Sequence, residues 1–401
     1  MKTAVIGLQW GDEGKGKFVT YMSRFHDCVV RYSGGSNAGH TVTFPDYKIV
    51  HHLLPSADVF KGKRMYIGPG VAIDLEVLVK EIEEIDGIVQ GARNLLRISK
   101  QAQIVTSFHK KLDAKIESRR IHRIGTTRKG IGPCYAGKAF RTGLRLEDLE
   151  YPDMALKRLK ESLLVWNEDD SIAEKMMEEM IEYYLKVEDL TVDSLSAVRS
   201  LRDKDLLFEG TQAVLLDIDA GTYPFVTSTN CSSTGIHAGF GFPVALDRIL
   251  GVFKAYTTRV GEGPFPTEIY GDEAHELRQR GGEYGATTGR PRRCGWLDLP
   301  LLRYAIEISG CNGLAMTKAD ILSGIEKIPV CVAYKINGSL YECVEHLRNL
   351  EAVEPVYEYV DGWKSVESKQ FEEFLFKIEK WLNAGVNYIS KGPYVEDITI
   401  R

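Results

Sequence analysis

Residues 2–18, KTAVIGLQWGDEGKGKF, decide the fold. The apolar run from Lys2 to Leu8 reads as a buried strand, and a glycine-rich turn follows it. From about Lys15 to Phe25 the pattern changes to helical spacing. A second short strand, DCVVRYS (residues 27–33), comes next. Strand, glycine loop, helix and strand are the opening of an α/β fold. Within the loop, Gly11, Gly16 and Lys17 fit the first seven positions of the phosphate loop G-x-x-x-x-G-K-[ST]. The eighth position, which should supply a hydroxyl for Mg²⁺, is Phe18. Backbone N–H groups at the helix start would favour phosphate, and Lys15 and Lys17 add charge. Asp12 sits where a phosphate site would avoid a carboxylate. Two uses would justify it: binding Mg²⁺ in place of the missing hydroxyl, or taking a proton from a substrate beside the phosphates.

The alternation continues beyond this opening. NLLRIS (94–99), KDLLFEG (204–210), GVFKAYTTR (251–259), NGLAMTK (312–318) and IPVCVAYKI (328–336) read as strands. DLEVLVKEIEEI (74–85), the stretch from about Asp153 to Leu185, LDLPLLRYAIEIS (297–309) and SKQFEEFLFKIEKWL (368–382) carry apolar residues at helical spacing. No repeat, low-complexity segment or Pro/Gly/Ser-rich linker interrupts the 401 residues. They read as a single α/β catalytic unit over 1–401, with a peripheral helical excursion at about 150–190.

Bulk properties exclude several classes. A net charge of −5 gives no global sign of a nucleic-acid binder. No run of about 18 apolar residues suggests a membrane span. The N-terminus reaches charged residues too soon for a signal peptide. Seven scattered cysteines without C-x-x-C fit a reducing cytosol, so a cytoplasmic location is expected.

Five further stretches could carry chemistry. In GGSNAGHT (34–41), glycines permit close approach to a ligand. There Asn37 can recognise an amide or hydroxyl, and His40 can donate a proton near neutral pH. His51, His52, His109 and His122 read as structural. TKAD (317–320) resembles the guanine-reading element N-K-x-D. Asp320 can accept from the two adjacent donors of guanine, a pair that adenine lacks, and the stem of Lys318 can lie across the base. GATTGRPRRCGW (285–296) offers arginine forks for carboxylate or phosphate oxygens. RIGTTRKGIGPCYAGKAFRTGLR (123–145) is cation-rich but nearly lacks stacking aromatics, which favours small phosphorylated ligands over RNA. FEGTQAVLLDIDAGTYPFVTSTN (208–230) is dominated by hydroxyls and amides, as a neutral polar ligand needs. Asp217 and Asp219 there could mimic a metal pair but read as structural.

Taken together, WGDEGKGK, GG-x-NAGHT, GTT-x-x-GIGP, FEG-x-Q, DIDAGTYPFVTS, TRVGEGPFPTE, TTGR-x-RR-x-GWLD, TK-x-D and S-x-GP occur in order from residue 10 to residue 393. The chain closely resembles the adenylosuccinate synthetase family. That resemblance implies one large central, mostly parallel β-sheet flanked by helices. It also implies GTP-dependent ligation of L-aspartate to IMP through 6-phosphoryl-IMP, with Mg²⁺ as cofactor, by a homodimer that binds neither nucleic acid nor membrane. It makes Asp12, His40, Lys15 and Gln212 catalytic, and Asp12 and the carbonyl of Gly39 the metal ligands. It assigns GTP to Gly11, Glu13, Gly14, Lys15, Gly16, Lys17, Thr41, Arg292, Lys318, Asp320, Ser390 and Gly392. IMP falls to Asp12, Asn37, Ala38, Thr127, Gln212, Thr227 and Arg290, with Arg141 reaching across the dimer. Aspartate falls to Ala286, Thr287, Thr288, Gly289, Arg290 and Arg292. Ser36, Arg128, Lys129, Ala213, Pro291 and a short C-terminus depart from the usual pattern without removing a proposed catalytic residue. Another GTP-dependent phosphotransferase or GTPase would not need His40 beside Asn37, and an inactive nucleotide binder would have no use for Asp12, His40 and Arg290 together.

Overall fold

The computed structural model describes residues 1–285 and 289–401. The opening stretch becomes strand β1 (Lys2–Gly7) and helix α1 (Lys15–Ser23). Nine more strands join β1 in one sheet. They are β2 (Cys28–Arg31), β3 (Arg64–Ile67), β4 (Leu96–Ser99), β5 (Thr191–Val192), β6 (Leu206–Glu209), β7 (Arg248–Lys254), β8 (Gly313–Thr317), β9 (Val386–Ser390) and β10 (Ile398–Ile400). Their order is β10-β9-β8-β7-β1-β6-β2-β3-β4-β5. Every neighbouring pair is parallel except β9 with β10 at one edge. The chain leaves β1 toward β2 on one side, and β7 later docks on the other. In open α/β sheets such a reversal opens a crevice at the carboxyl ends of the strands, where ligands bind.

Both faces of the sheet are covered, as a parallel sheet requires. Val5 packs with Phe18, Val19 and Leu78 on one face, while Ala4 and Ile6 pack with Phe208, Phe253 and Phe374 on the other. This explains the missing hydroxyl at position 18. Phe18 is fully buried on the first face, with its ring edge-on to Tyr388. Helix α1 spends that position on packing rather than on a metal.

Three expectations change in detail. GVFKAYTTR is two strands: β7 ends at Lys254, and Thr257–Arg259 pairs antiparallel with Arg293–Gly295. The chain turns aside at Ala255 and Tyr256, where the Tyr256 carbonyl accepts from Gln9 and its hydroxyl donates to buried Glu283. The stretch at 153–185 is two helices, Pro152–Val165 and Ala173–Leu185, separated by a turn in which Asn167 takes φ 55°. Their apolar faces, including Leu159, Leu163, Met176 and Met177, join the first core cluster. Finally, IPVCVAYKI belongs to a separate four-stranded sheet. Among the described residues no helix is long and apolar enough to cross a membrane.

Candidate active site

The loop after β1 is anchored on both sides. Gln9 donates to the Tyr256 carbonyl at 2.9 Å and accepts from the Lys254 N–H at 3.0 Å, and Thr317 at the end of β8 donates to the Glu13 carbonyl at 2.8 Å. Gly14 caps α1 at φ 84° without a side-chain cap, so the first N–H groups of the helix remain for a ligand. Inside the loop, Glu13 is fully buried. Its carboxylate accepts from the N–H groups of Gln9 (3.1 Å) and Gly11 (2.9 Å) and pairs with Lys15 at 2.6 Å. Lys17 reaches elsewhere. It donates to Ser390 Oγ at 2.7 Å and to the Gly392 carbonyl, tying the loop after β9 to the loop after β1. Burial lowers the Lys17 pKa to about 8, against the pull of Asp397 and Asp320.

The loop after β2 crosses the start of α1. A Cβ on Gly16 would lie 2.9 Å from His40 Cβ, so only glycine permits this approach. His40 begins a hairpin, His40–Thr43 with Lys48–His51, which also carries Thr41. Its Nδ1 bonds the carboxylate of Glu209, the last residue of β6. Glu209 is fully buried and accepts as well from Ser56 N (2.8 Å) and Ser56 Oγ (2.6 Å). Burial pushes its pKa up, but His40, Arg31 and Ser56 outweigh this and hold it at about 2. Burial lowers the His40 pKa, with Glu209 opposing. The Ala38 carbonyl is fixed by His52 Nδ1 at 2.6 Å, which gives that structural histidine a definite job. Asn37 Oδ1 in this loop, and Gln212 Oε1 in the loop after β6, are buried acceptors without a hydrogen-bond partner. Gln212 is held at φ 48°. The two loops touch, since Ser33 and Thr211 hydroxyls stand 3.1 Å apart.

Arg292 closes the crevice from the β7–β8 side. Its Nε stands 2.6 Å from Asp12 Oδ2 and its Nη1 donates to Glu283 Oε2 at 2.6 Å. Glu283 also accepts from Lys254 Nζ at 2.8 Å and from Tyr256. Burial raises the Glu283 pKa, but Lys254 and Arg292 overcome it and hold the group at about 2. After β8, Lys318 adopts φ 60° and donates to the Gly281 carbonyl at 2.9 Å, and burial lowers its pKa. Burial raises the pKa of neighbouring Asp320.

Not every expected residue joins this crevice. Ala286, Thr287 and Thr288 lie outside the described residues; Gly289 and Arg290 follow them, with Gly285 N–H donating to the Arg290 carbonyl at 2.9 Å. Thr127 lies on the loop before helix Ile131–Phe140, whose first residue packs under Gly35. Arg141 is exposed just past the far end of that helix, about 15 Å away at helical rise. There it lines a polar cavity of about 580 Å³ with Lys138, Arg145 and Tyr151. Thr227 lies in a loop braced by Asp217, whose carboxylate accepts from the N–H groups of Asp219 (2.9 Å), Ala220 (3.1 Å) and Ser232 (3.0 Å). Asp217 is thus a loop staple, and Asp219 bonds Asn230 at 2.6 Å. Among the described residues no cluster of three His, Cys, Asp or Glu could hold a metal alone.

Comparison with known proteins gives this crevice its context. The family model for adenylosuccinate synthetase matches residues 4–399. The chain belongs to the adenylosuccinate synthetase family. It is 60% identical over 399 residues to the adenylosuccinate synthetase of Pseudothermotoga lettingae, covering 100% of this chain and 99% of that protein. It is 53% identical over 400 residues to that of Thermotoga maritima, covering 99% of each. The solved structure of fully ligated adenylosuccinate synthetase from Plasmodium falciparum superposes with a TM-score of 0.92 at 36% identity, covering 100% of this chain and 99% of that one. Membership carries the activity: GTP-dependent joining of L-aspartate to IMP, yielding adenylosuccinate, GDP and phosphate, in purine biosynthesis. Glu283 and Lys254 are members of this crevice that motif reading passed over, and Glu209, which lies within the marked stretch 208–230, received no role there. The signal for Glu209 is its place as a carboxylate at the end of a buried strand, directly before the loop that carries Gln212.

Proposed function

We propose that the crevice performs this ligation with Asp12 as base and His40 as acid. Asp12 takes the N1 proton of IMP, and O6 attacks the γ-phosphate of GTP to give 6-phosphoryl-IMP. The amine of aspartate then displaces phosphate from C6. His40 stabilises charge on the phosphoryl oxygens, together with Lys15 and the α1 N–H groups. Gln212, with Asn37, Ala38, Thr127, Thr227 and Arg290, holds IMP. Lys318 and Asp320 read guanine, while Gly11, Glu13, Gly14, Gly16, Lys17, Thr41, Ser390 and Gly392 surround the rest of GTP. The loop 286–290 and Arg292 hold aspartate. One observation carries the reading: the buried acceptors of Asn37 and Gln212 lack partners beside His40, so the pocket is built around a ligand's donors.

Magnesium fits the donor set. Asp12 and the Gly39 carbonyl are oxygen ligands on two loops held together where His40 packs on Gly16, and Mg²⁺ takes few protein ligands when substrate phosphates complete its shell. When bound, the metal neutralises charge on the transferring phosphoryl group. In the free chain Asp12 pairs with Arg292 instead. The distance of Arg141 from its own crevice supports a homodimer in which it serves the neighbouring subunit's IMP. We further propose that the whole chain acts as one cytoplasmic catalytic unit.

The test follows the ultraviolet absorbance change from IMP to adenylosuccinate with IMP, GTP, Mg²⁺ or aspartate omitted in turn. Turnover should need all four and fall by about 100-fold or more in Asp12→Asn. GTP hydrolysis without IMP or aspartate would overturn the reading.

A further inference from the structure

The ring of His40 is held by groups with no place of their own among the reacting atoms. Glu209 is fully buried at the end of β6, and each of its carboxylate oxygens has a fixed partner. Oε2 accepts from the Ser56 N–H, while Oε1 accepts from the Ser56 hydroxyl and faces His40 Nδ1. Ser56 is itself fully buried, and its carbonyl accepts from Thr20 of α1 at 2.9 Å. The carboxylate is therefore braced from the helix that begins at the phosphate loop. An ionised carboxylate only accepts, so Nδ1 must carry the hydrogen. The other ring nitrogen, Nε2, has no hydrogen-bond partner among the described residues. One ring orientation satisfies this arrangement, with Nδ1 protonated whether the ring is neutral or charged.

We infer that Glu209 is a positioning residue for the ligation: braced by Ser56, it holds the hydrogen on Nδ1 and sets the ring angle of His40, so that Nε2, the nitrogen that carries the acid's proton, is directed at the reacting phosphoryl group. This deepens the reading of His40 given above and rests on it. The expected loss on removing the carboxylate is in the chemical step, since among the described residues Glu209 bonds His40 and Ser56 and is fully buried behind them. A glutamine at 209 keeps the volume but offers an N–H₂ group, which allows the ring to flip or change tautomer. A carboxylate orienting a catalytic histidine has the same physical logic in enzymes of unrelated fold.

The experiment compares wild type, Glu209→Gln and Ser56→Ala. Labelling with ¹⁵N-histidine gives the ring nitrogen shifts of His40 in the free protein, and steady-state kinetics gives kcat and KM for each substrate. Wild-type His40 should show Nδ1 protonated. Glu209→Gln should lose that pattern, with kcat down about 100-fold and KM for IMP and GTP within about threefold. Ser56→Ala keeps the backbone donor, so it should fold normally, retain the tautomer and show a loss of kcat below about tenfold. An unchanged His40 tautomer in Glu209→Gln would overturn the proposal, as would losses confined to KM. If Glu209→Gln does not fold, an Nδ1-bare ring in wild type or in Ser56→Ala overturns it equally. The ring shifts are read without substrate. A failure of the ligation reading would instead appear as wild-type protein that does not need IMP and aspartate.

Discussion

Two neighbouring regions at the carboxyl edge of the sheet treat their polar groups in opposite ways. The loop after β1 satisfies itself: the Glu13 carboxylate takes the N–H groups of Gln9 and Gly11 and pairs with Lys15. The loops after β2 and β6 leave buried acceptors of Asn37 and Gln212 without partners. A buried polar group left unpaired costs roughly 1–3 kcal/mol. The buried charge of the first region is therefore satisfied within the protein, while the second region holds acceptors that no described residue satisfies. On the proposed reading, nucleotide phosphate meets a Lys15 already paired with Glu13, whereas IMP meets acceptors open to its donors.

This contrast can be broken by mutation. Glu13→Gln should produce the largest stability loss, about 3 kcal/mol in chemical denaturation, because it strands buried Lys15 without its partner. A loss below about 1 kcal/mol would show that the inner pair is not what shapes the loop. Asn37→Ala should do the reverse. Stability should stay within about 0.5 kcal/mol, since its acceptor bonds nothing in the free chain, while kcat/KM for IMP falls about tenfold or more. Equal effects of the two substitutions on stability would erase the distinction.

A smaller effect tests a buried carboxyl outside both regions. Asp298 caps helix Leu299–Ser309 and accepts from Tyr334, and burial raises its pKa to about 7. Unfolded, the group titrates near about 4, so the folded chain binds the extra proton between those values. Its contribution to stability is full below about pH 4 and is lost as pH rises through about 7. Denaturation midpoints should therefore fall from about pH 6 to about pH 8, and fall less in Asp298→Asn, which still caps the helix. An equal slope in the variant would assign the pH dependence to another group.

The glycine-bearing loops were legible because their requirements are local. Gly14 at φ 84° and Gly16 under His40 are demands of a few neighbouring atoms, and they leave short motifs. The α/β alternation was legible for the same reason, since each buried strand announces itself over a handful of residues. What was hidden depends on distant partners. His40 and Glu209 are 169 residues apart, and Arg292 meets Asp12 only because β7 docks beside β1. Nothing in FEG marks the glutamate as a histidine's partner. Strand β3 was missed because four residues, RMYI, carry too little pattern to stand out. The turn at Ala255 and Tyr256 was missed because Glu283, the reason for it, lies far along the chain.

The Lys17 contacts have a consequence for timing. This lysine joins the loop after β1 to Ser390, 373 residues further along the chain, and to the Gly392 carbonyl. The two walls of the crevice that meet here are thus far apart in the translated message. During synthesis the first wall emerges and waits for hundreds of residues before its counterpart arrives. A growing polypeptide truncated before β9 lacks that second wall, however well its opening strand, loop and helix have formed.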